Sequence, residues 1–297
     1  MTDQLQDLFS FLSLDSRVDL KTIALDYILG LTGSDGGRAM IKASPPVIRL
    51  LLQLTSDKQP TAISKDANLV LLNLSSSADI AEVMLDLEVI PKLLVNLVNP
   101  EYAHSDAICM TLSNLTQTEK GSELFLTAIM KSEQAQKEEQ SATVSSAASA
   151  AAISAAAVPS LYQLVDIFDR KDFNKRANFH YLATMFLNIT QLSLARQMFL
   201  DRKKCILPRL ITYTQFYESE IRRGGIVGLL RNLCFDVGQY PNHDCSTLTN
   251  QIAQKWVLLI DFTKLLIFIN FIFCIQLAYQ ESHRRTTIFL MVFRLIF

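Results

Sequence analysis

Apolar residues along this chain recur at spacings of four and three, in register with a repeated tripeptide. Asn73-Leu74-Ser75, Asn114-Leu115-Thr116, Asn188-Ile189-Thr190 and Asn232-Leu233-Cys234 share one form: asparagine, aliphatic, then small polar or cysteine. Gly30-Leu31-Thr32 is a degenerate copy. Counted from the asparagine, offset −6 holds Ala24, Ala67, Ile108, Leu182 and Ile226. Offset −2 holds Ile28, Leu71, Leu112, Phe186 and Leu230, and offset +1 holds the aliphatic residue of the tripeptide. Steps of four and three place these side chains on one stripe of an α-helix, with the asparagine near its C-terminal end. Offsets +10 and +11 are apolar again (Met40-Ile41, Val83-Met84, Leu124-Phe125, Met198-Phe199), which predicts a second helix in phase. A third opens at Pro46, Pro91, Pro159 and Pro208. Proline suits a first helical turn, where no intrahelical N–H bond is lost.

The copies are 43, 41, 74 and 44 residues apart. Three helices in about 42 residues is the armadillo layout, so the reading is an all-α, armadillo-type right-handed helical-repeat solenoid of about five repeats over residues 1–236. The long step has a local cause. Asn73 to Pro91 is 18 residues and Asn114 to Pro159 is 45; the excess of 27 matches residues 131–157, a Glu/Gln/Lys run followed by a Ser/Ala tract. That segment has little apolar surface to offset its ordering entropy and is expected to be a disordered surface insertion, parts of which its Ala-rich composition can make transiently helical.

Composition narrows the functional classes. A net charge of −1 over 297 residues argues against a general nucleic-acid binder. The charge is uneven: residues 1–130 carry a net −7 and residues 161–236 a net +5, a surface of mixed sign for a protein partner. The five cysteines lack CxxC spacing, and Cys109 and Cys234 fall within repeat helices, as expected for buried thiols in a reducing compartment. Three tripeptides match the N-glycosylation pattern, but the end of a packed helix is a poor place for a glycan. No pair of the four histidines has metal-ligand spacing, and Arg222-Arg223-Gly224-Gly225 lacks the Lys-Ser/Thr of a phosphate loop. No catalytic, metal or cofactor set emerges. The glycines of that run point to close helix approach, and Arg222 and Arg223 are candidates for an acidic partner. The repeated asparagines Asn73, Asn114, Asn188 and Asn232 have two readings: bonds between repeats, or a ladder holding a peptide backbone.

Two blocks carry a resemblance. Residues 173–190, Phe-Asn-Lys-Arg-Ala-Asn-Phe-His-Tyr-Leu-Ala-Thr-Met-Phe-Leu-Asn-Ile-Thr, and residues 221–235, Ile-Arg-Arg-Gly-Gly-Ile-Val-Gly-Leu-Leu-Arg-Asn-Leu-Cys-Phe, resemble the brain protein 16 or HGH homologue family of eukaryotic armadillo-like proteins. The resemblance covers roughly residues 8–236 apart from the insertion. It implies a cytoplasmic, non-catalytic scaffold: a chaperone cofactor assisting the folding of translation elongation factor 2 with the cytosolic chaperonin. His180, Tyr181, Arg222 and Arg223 fall in its distinctive blocks. The runner-up is a peptide-binding transport adaptor resembling the karyopherins. Those set tryptophans beside their asparagines, whereas Trp256 lies outside the repeats.

Beyond residue 236 the pattern stops. Residues 237–254 read as a loop and 255–297 as an atypical hydrophobic segment. Residues 256–278 are long enough to span a bilayer but are interrupted by Asp261, Lys264, Asn270 and Gln276. A tail anchor and a capping helix are the alternatives to the leading reading, an aberrant C-terminus arising from a gene-model error.

Overall fold

The computed structural model describes residues 7–142, 158–201 and 203–233, and every regular element among them is helical. Two compact units divide the chain, Met1–Ile226 and Val227–Phe297; the described part of the second is the C-terminal half of one helix. After a helical turn over residues 7–10 come α1 (Val18–Leu31), α2 (Asp35–Lys42), α3 (Pro45–Leu54), α4 (Thr61–Ser75), α5 (Ala78–Asp86), α6 (Val89–Leu97) and α7 (Ser105–Leu115). Then follow α8 (Glu119–Ala142), α9 (Leu161–Asp169), α10 (His180–Ile189), α11 (Ser193–Leu200), α12 (Ile206–Leu210) with a 3₁₀ turn at Ile211–Gln215, and α13 (Glu220–Leu233).

The order is itself a repeat. Helices α1, α4, α7, α10 and α13 carry the tripeptide at their C-terminal ends, and three helices separate each start from the next. In the first unit α1, α4, α7 and α10 lie side by side in chain order, which makes the unit a helical-repeat solenoid of armadillo type. Its core follows the sequence offsets. Ala24, Ala67, Ile108 and Leu182 are fully buried, as are Ile28, Leu112 and Phe186. At offset +11, Ile41, Met84 and Phe125 are inaccessible, while Leu124 beside Phe125 is 37% exposed. Neighbouring residues on a helix point about 100° apart, so only one of the pair can face the core.

Helix boundaries follow local chemistry. Pro45 and Pro46 occupy the first turn of α3, and Pro91 and Pro208 the first turns of α6 and α12. Pro159 differs: it precedes the N-cap of α9, which starts instead with a capping box between Ser160 and Gln163. The first part of the insertion is helical. Helix α8 runs on to Ala142, so residues 131–142 are helical rather than disordered. Its Ala, Glu, Gln and Lys are strong helix formers, and an existing helix extends without a new nucleation cost. The remainder of the insertion (143–157), Cys234 and the hydrophobic segment 255–297 lie outside the described residues. Among the described residues, no helix is long and apolar enough to cross a membrane.

Candidate protein-binding site

The asparagines connect one repeat to the one before it. Asn73 Nδ2 donates to Thr32 Oγ1 at 2.8 Å, and Asn114 Nδ2 to Ser75 Oγ at 2.9 Å. Asn188 Nδ2 donates to Ser113 O at 2.8 Å and to Thr116 Oγ1 at 3.3 Å. Each accepting hydroxyl is the third residue of the preceding tripeptide. It spends its own proton on a carbonyl of its helix: Thr32 on Leu29 at 2.6 Å, Ser75 on Leu72 at 2.7 Å, Thr116 on Leu112 at 2.8 Å. That leaves the hydroxyl's lone pairs turned toward the incoming amide. The third tripeptide position is therefore an acceptor, a role that "small and polar" alone does not reveal. Asn232 holds the same place in α13 and is half-buried.

Around this ladder one face of the stack stays open. Leu69, Leu72 and exposed Asn73 on α4, Met110 and Asn114 on α7, and Tyr181, Thr184 and Asn188 on α10 are all partly solvent-accessible. The stripe mixes apolar and hydrogen-bonding groups, the composition of a protein-contact surface.

Arg222 sits elsewhere and is buried, at 5% exposure. Ser219 Oγ accepts from its backbone N–H at 3.2 Å, the bond of a residue capping the first turn of α13. The guanidinium carbon lies 4.2 Å from the ring centre of Phe168, 5.0 Å from Tyr213 and 5.2 Å from Phe216. Its Nη2 donates to Asn178 O at 2.8 Å, and its buried Nε has no partner among the described residues. Burial pulls the guanidinium pKa down, opposed by Tyr213 and by the carboxylates of Asp169, Glu218 and Asp106. Cation–π contact compensates part of the lost hydration. His180 joins the same cluster through Phe216, with ring centres 6.3 Å apart. Burial and the Arg222 charge both hold the imidazole below its ordinary pKa. Arg223 points away: Nη1 donates to Phe216 O at 3.1 Å and Nη2 is 3.7 Å from Glu220.

The structure thus groups Tyr181 with the asparagine stripe and His180 with Arg222, and it separates Arg222 from solvent. It also reveals polar residues that the repeat phase does not mark. Tyr102 Oη donates to Thr55 O at 2.6 Å and accepts from Asn68 Nδ2 at 2.7 Å, tying the end of α3, the middle of α4 and the α6–α7 connection together. Asn174, 3% exposed, donates to Tyr102 O at 2.7 Å. Cys109 is a buried thiol whose pKa burial pushes well up. No group of His, Cys, Asp or Glu among the described residues is arranged to hold a metal ion.

Comparison with known proteins places the chain among relatives by sequence and by fold. The model of the family described as "Domain of unknown function (DUF383)" covers residues 96–260, which runs past residue 236, where the sequence reading ends its resemblance. The Protein HGH1 homolog of Danio rerio is 38% identical over 243 residues, 82% of this chain and 57% of that protein. The one from Homo sapiens is 29% identical over 231 residues, 77% of this chain and 53% of the relative. This chain spans little more than half the length of these curated relatives. Among solved structures, an engineered protein aligns over 93% of this chain and 98% of its own with TM-score 0.61 at 13% identity. A designed armadillo repeat protein aligns over 78% of this chain and 86% of its own with TM-score 0.54 at 13% identity, which speaks for the fold alone. With the family model matching more than half of its residues, this helical-repeat scaffold belongs to the HGH homologue family.

Proposed function

We propose that this chain is a non-catalytic, cytoplasmic protein-binding scaffold, acting as a chaperone cofactor for folding translation elongation factor 2 with the cytosolic chaperonin. The observation that supports it is the open stripe on α4, α7 and α10, running continuously over three repeats. The client comes from the family resemblance. In the transport-adaptor reading the asparagine amides hold a peptide backbone. Here those nitrogens already engage Thr32, Ser75, Ser113 and Thr116, which favours the scaffold reading.

The test is affinity capture from eukaryotic cytosol with the full chain and with a Met110→Glu/Tyr181→Ala variant. Recovery of elongation factor 2 or chaperonin subunits by the wild type, lost in the variant, is the expected result. Recovery of nuclear cargo without either would reject the client and favour the adaptor.

A further inference from the structure

The connection between α9 and α10, residues 170–178, carries Arg170, Lys171, Lys175 and Arg176 against the single carboxylate of Asp172. All four cations are exposed, and none has a hydrogen bond or ion pair from its side chain among the described residues. The equivalent connections in the other repeats differ. Residues 55–60 carry Asp57 and Lys58, residues 98–104 carry Glu101, and residues 216–219 carry Glu218. Positive charge is concentrated at one loop, with acidic groups on the corresponding loops before and after it.

The loop is also held in place. Asn174 turns inward, donating to Tyr102 O at 2.7 Å and Ser105 Oγ at 3.2 Å, while its Oδ1 accepts from Arg176 N at 2.9 Å. The Asp106 carboxylate accepts from Asn178 N at 3.0 Å and from Phe179 N at 2.8 Å. These bonds stabilise the left-handed backbone of Phe179, φ 56°, which a bulky residue adopts only at a cost. From the other side Arg222 Nη2 binds Asn178 O at 2.8 Å. Two buried side chains and one carboxylate thus fix a segment whose own charges have no internal partner. A loop whose backbone is already fixed binds an anion with less loss of conformational entropy than a loose one does.

We propose that residues 170–178 form a docking surface for an acidic segment of a partner protein, with Arg222 as the positioning residue behind it. A short acidic peptide fits the loop. A long polyanion such as a nucleic acid would also run over the carboxylates of Glu101 and Glu218, and the residues 1–130 that carry a net −7. The inference rests on the protein-binding reading, but not on the identity of the client.

The test measures fluorescence anisotropy of a labelled oligoglutamate peptide titrated with the full chain at low and raised salt. Lys175→Glu/Arg176→Glu should weaken binding by about tenfold or more at low salt and less at high salt. The milder Lys175→Gln/Arg176→Gln should fall between, with thermal midpoints showing that the variants fold. Arg49→Glu/Lys92→Glu, the same charge change on exposed residues elsewhere, should bind like wild type. Absence of peptide binding by wild type, or equal weakening by the control pair, overturns the proposal. So does an oligonucleotide of equal charge that outcompetes the peptide and is lost with the same loop variant. The peptide is a defined probe, so failure to capture elongation factor 2 counts against the client alone, and failure to bind the peptide against the loop alone.

Discussion

Two adjacent glycines in α13 should respond to the same substitution with opposite sign. A Cβ built at Gly225 would lie 2.5 Å from the backbone carbon of Ala183, 2.7 Å from its Cβ and 2.8 Å from its oxygen. Carbon–carbon contacts are favourable only near 3.5–4.0 Å, so α13 would have to move away from α10 by about 1 Å. Overpacking of this kind costs about 1–3 kcal/mol. The gain in helix propensity from Gly to Ala, about 1 kcal/mol, offsets only part of it. At Gly224 the added Cβ meets nothing within 4 Å, so the propensity gain stands alone. Gly225→Ala should therefore lower stability by up to about 2 kcal/mol, and Gly224→Ala should raise it by about 0.5–1 kcal/mol. For a chain of this size each kcal/mol moves the thermal midpoint by about 2–4 °C. Urea unfolding followed by circular dichroism on both variants would resolve the difference. If Gly225→Ala matched or exceeded wild type while Gly224→Ala fell, the close-approach account of this helix pair would be wrong.

Three further outcomes follow from the polar contacts. Asn188→Ala should cost about 1–2 kcal/mol and Asn114→Ala about 1 kcal/mol, with exposed Asn73→Ala below both; Asn188→Asp, setting a carboxylate against Ser113 O, should be worse than alanine, and a stable Asn188→Asp in urea titration would refute the donor assignment. Tyr102, 3% exposed, has its pKa pushed up to about 12 by burial. The folded state thus holds this proton more tightly than the unfolded one. Its contribution is complete below the ordinary value of 10 and is lost as pH rises toward 12, by about 2–3 kcal/mol, and Tyr102→Phe should flatten that part of an alkaline unfolding curve. Arg222→Ala, which removes the donor to Asn178 O and leaves a hole among three rings, should cost about 2–4 kcal/mol, whereas Arg222→Met fills the cage and should cost less; equal losses in thermal melts would argue against the packing role.

The apolar register was legible because burial acts on each helix separately. Any residue at offset −6 or −2 must face inward whatever its neighbours are, and Ala67, Leu71, Ile108 and Leu112 do. The spacing of the insertion was legible for the same reason: Asn188 still reaches Thr116 although 72 residues separate them, against 41 for Asn73 and Thr32. What the offsets do not encode is which hydrogen-bonding groups meet across repeats. Tyr102 and Asn174 sit in connections whose lengths vary, and Asn68 lies mid-helix in α4 at a position where the other repeats have no asparagine, so no fixed offset marks them. Arg222 was singled out in the sequence for its charge, yet its surroundings come from Phe168, Tyr213 and Phe216, on three different segments. The helix over residues 131–142 is firmer than composition suggests, because composition weighs a segment as if isolated while α8 supplies a nucleus already formed by packing.

The asparagine ladder also has a direction. Every described rung reaches from a later residue to an earlier one: Asn73 to Thr32, Asn114 to Ser75, Asn188 to Thr116. The bond that orients each acceptor hydroxyl lies within its own helix and so does not depend on the donor's repeat. A chain leaving the ribosome N-terminus first would therefore present each new repeat with a finished template. Each rung needs only the repeat just added and the one before it, which suits vectorial growth of the stack one repeat at a time.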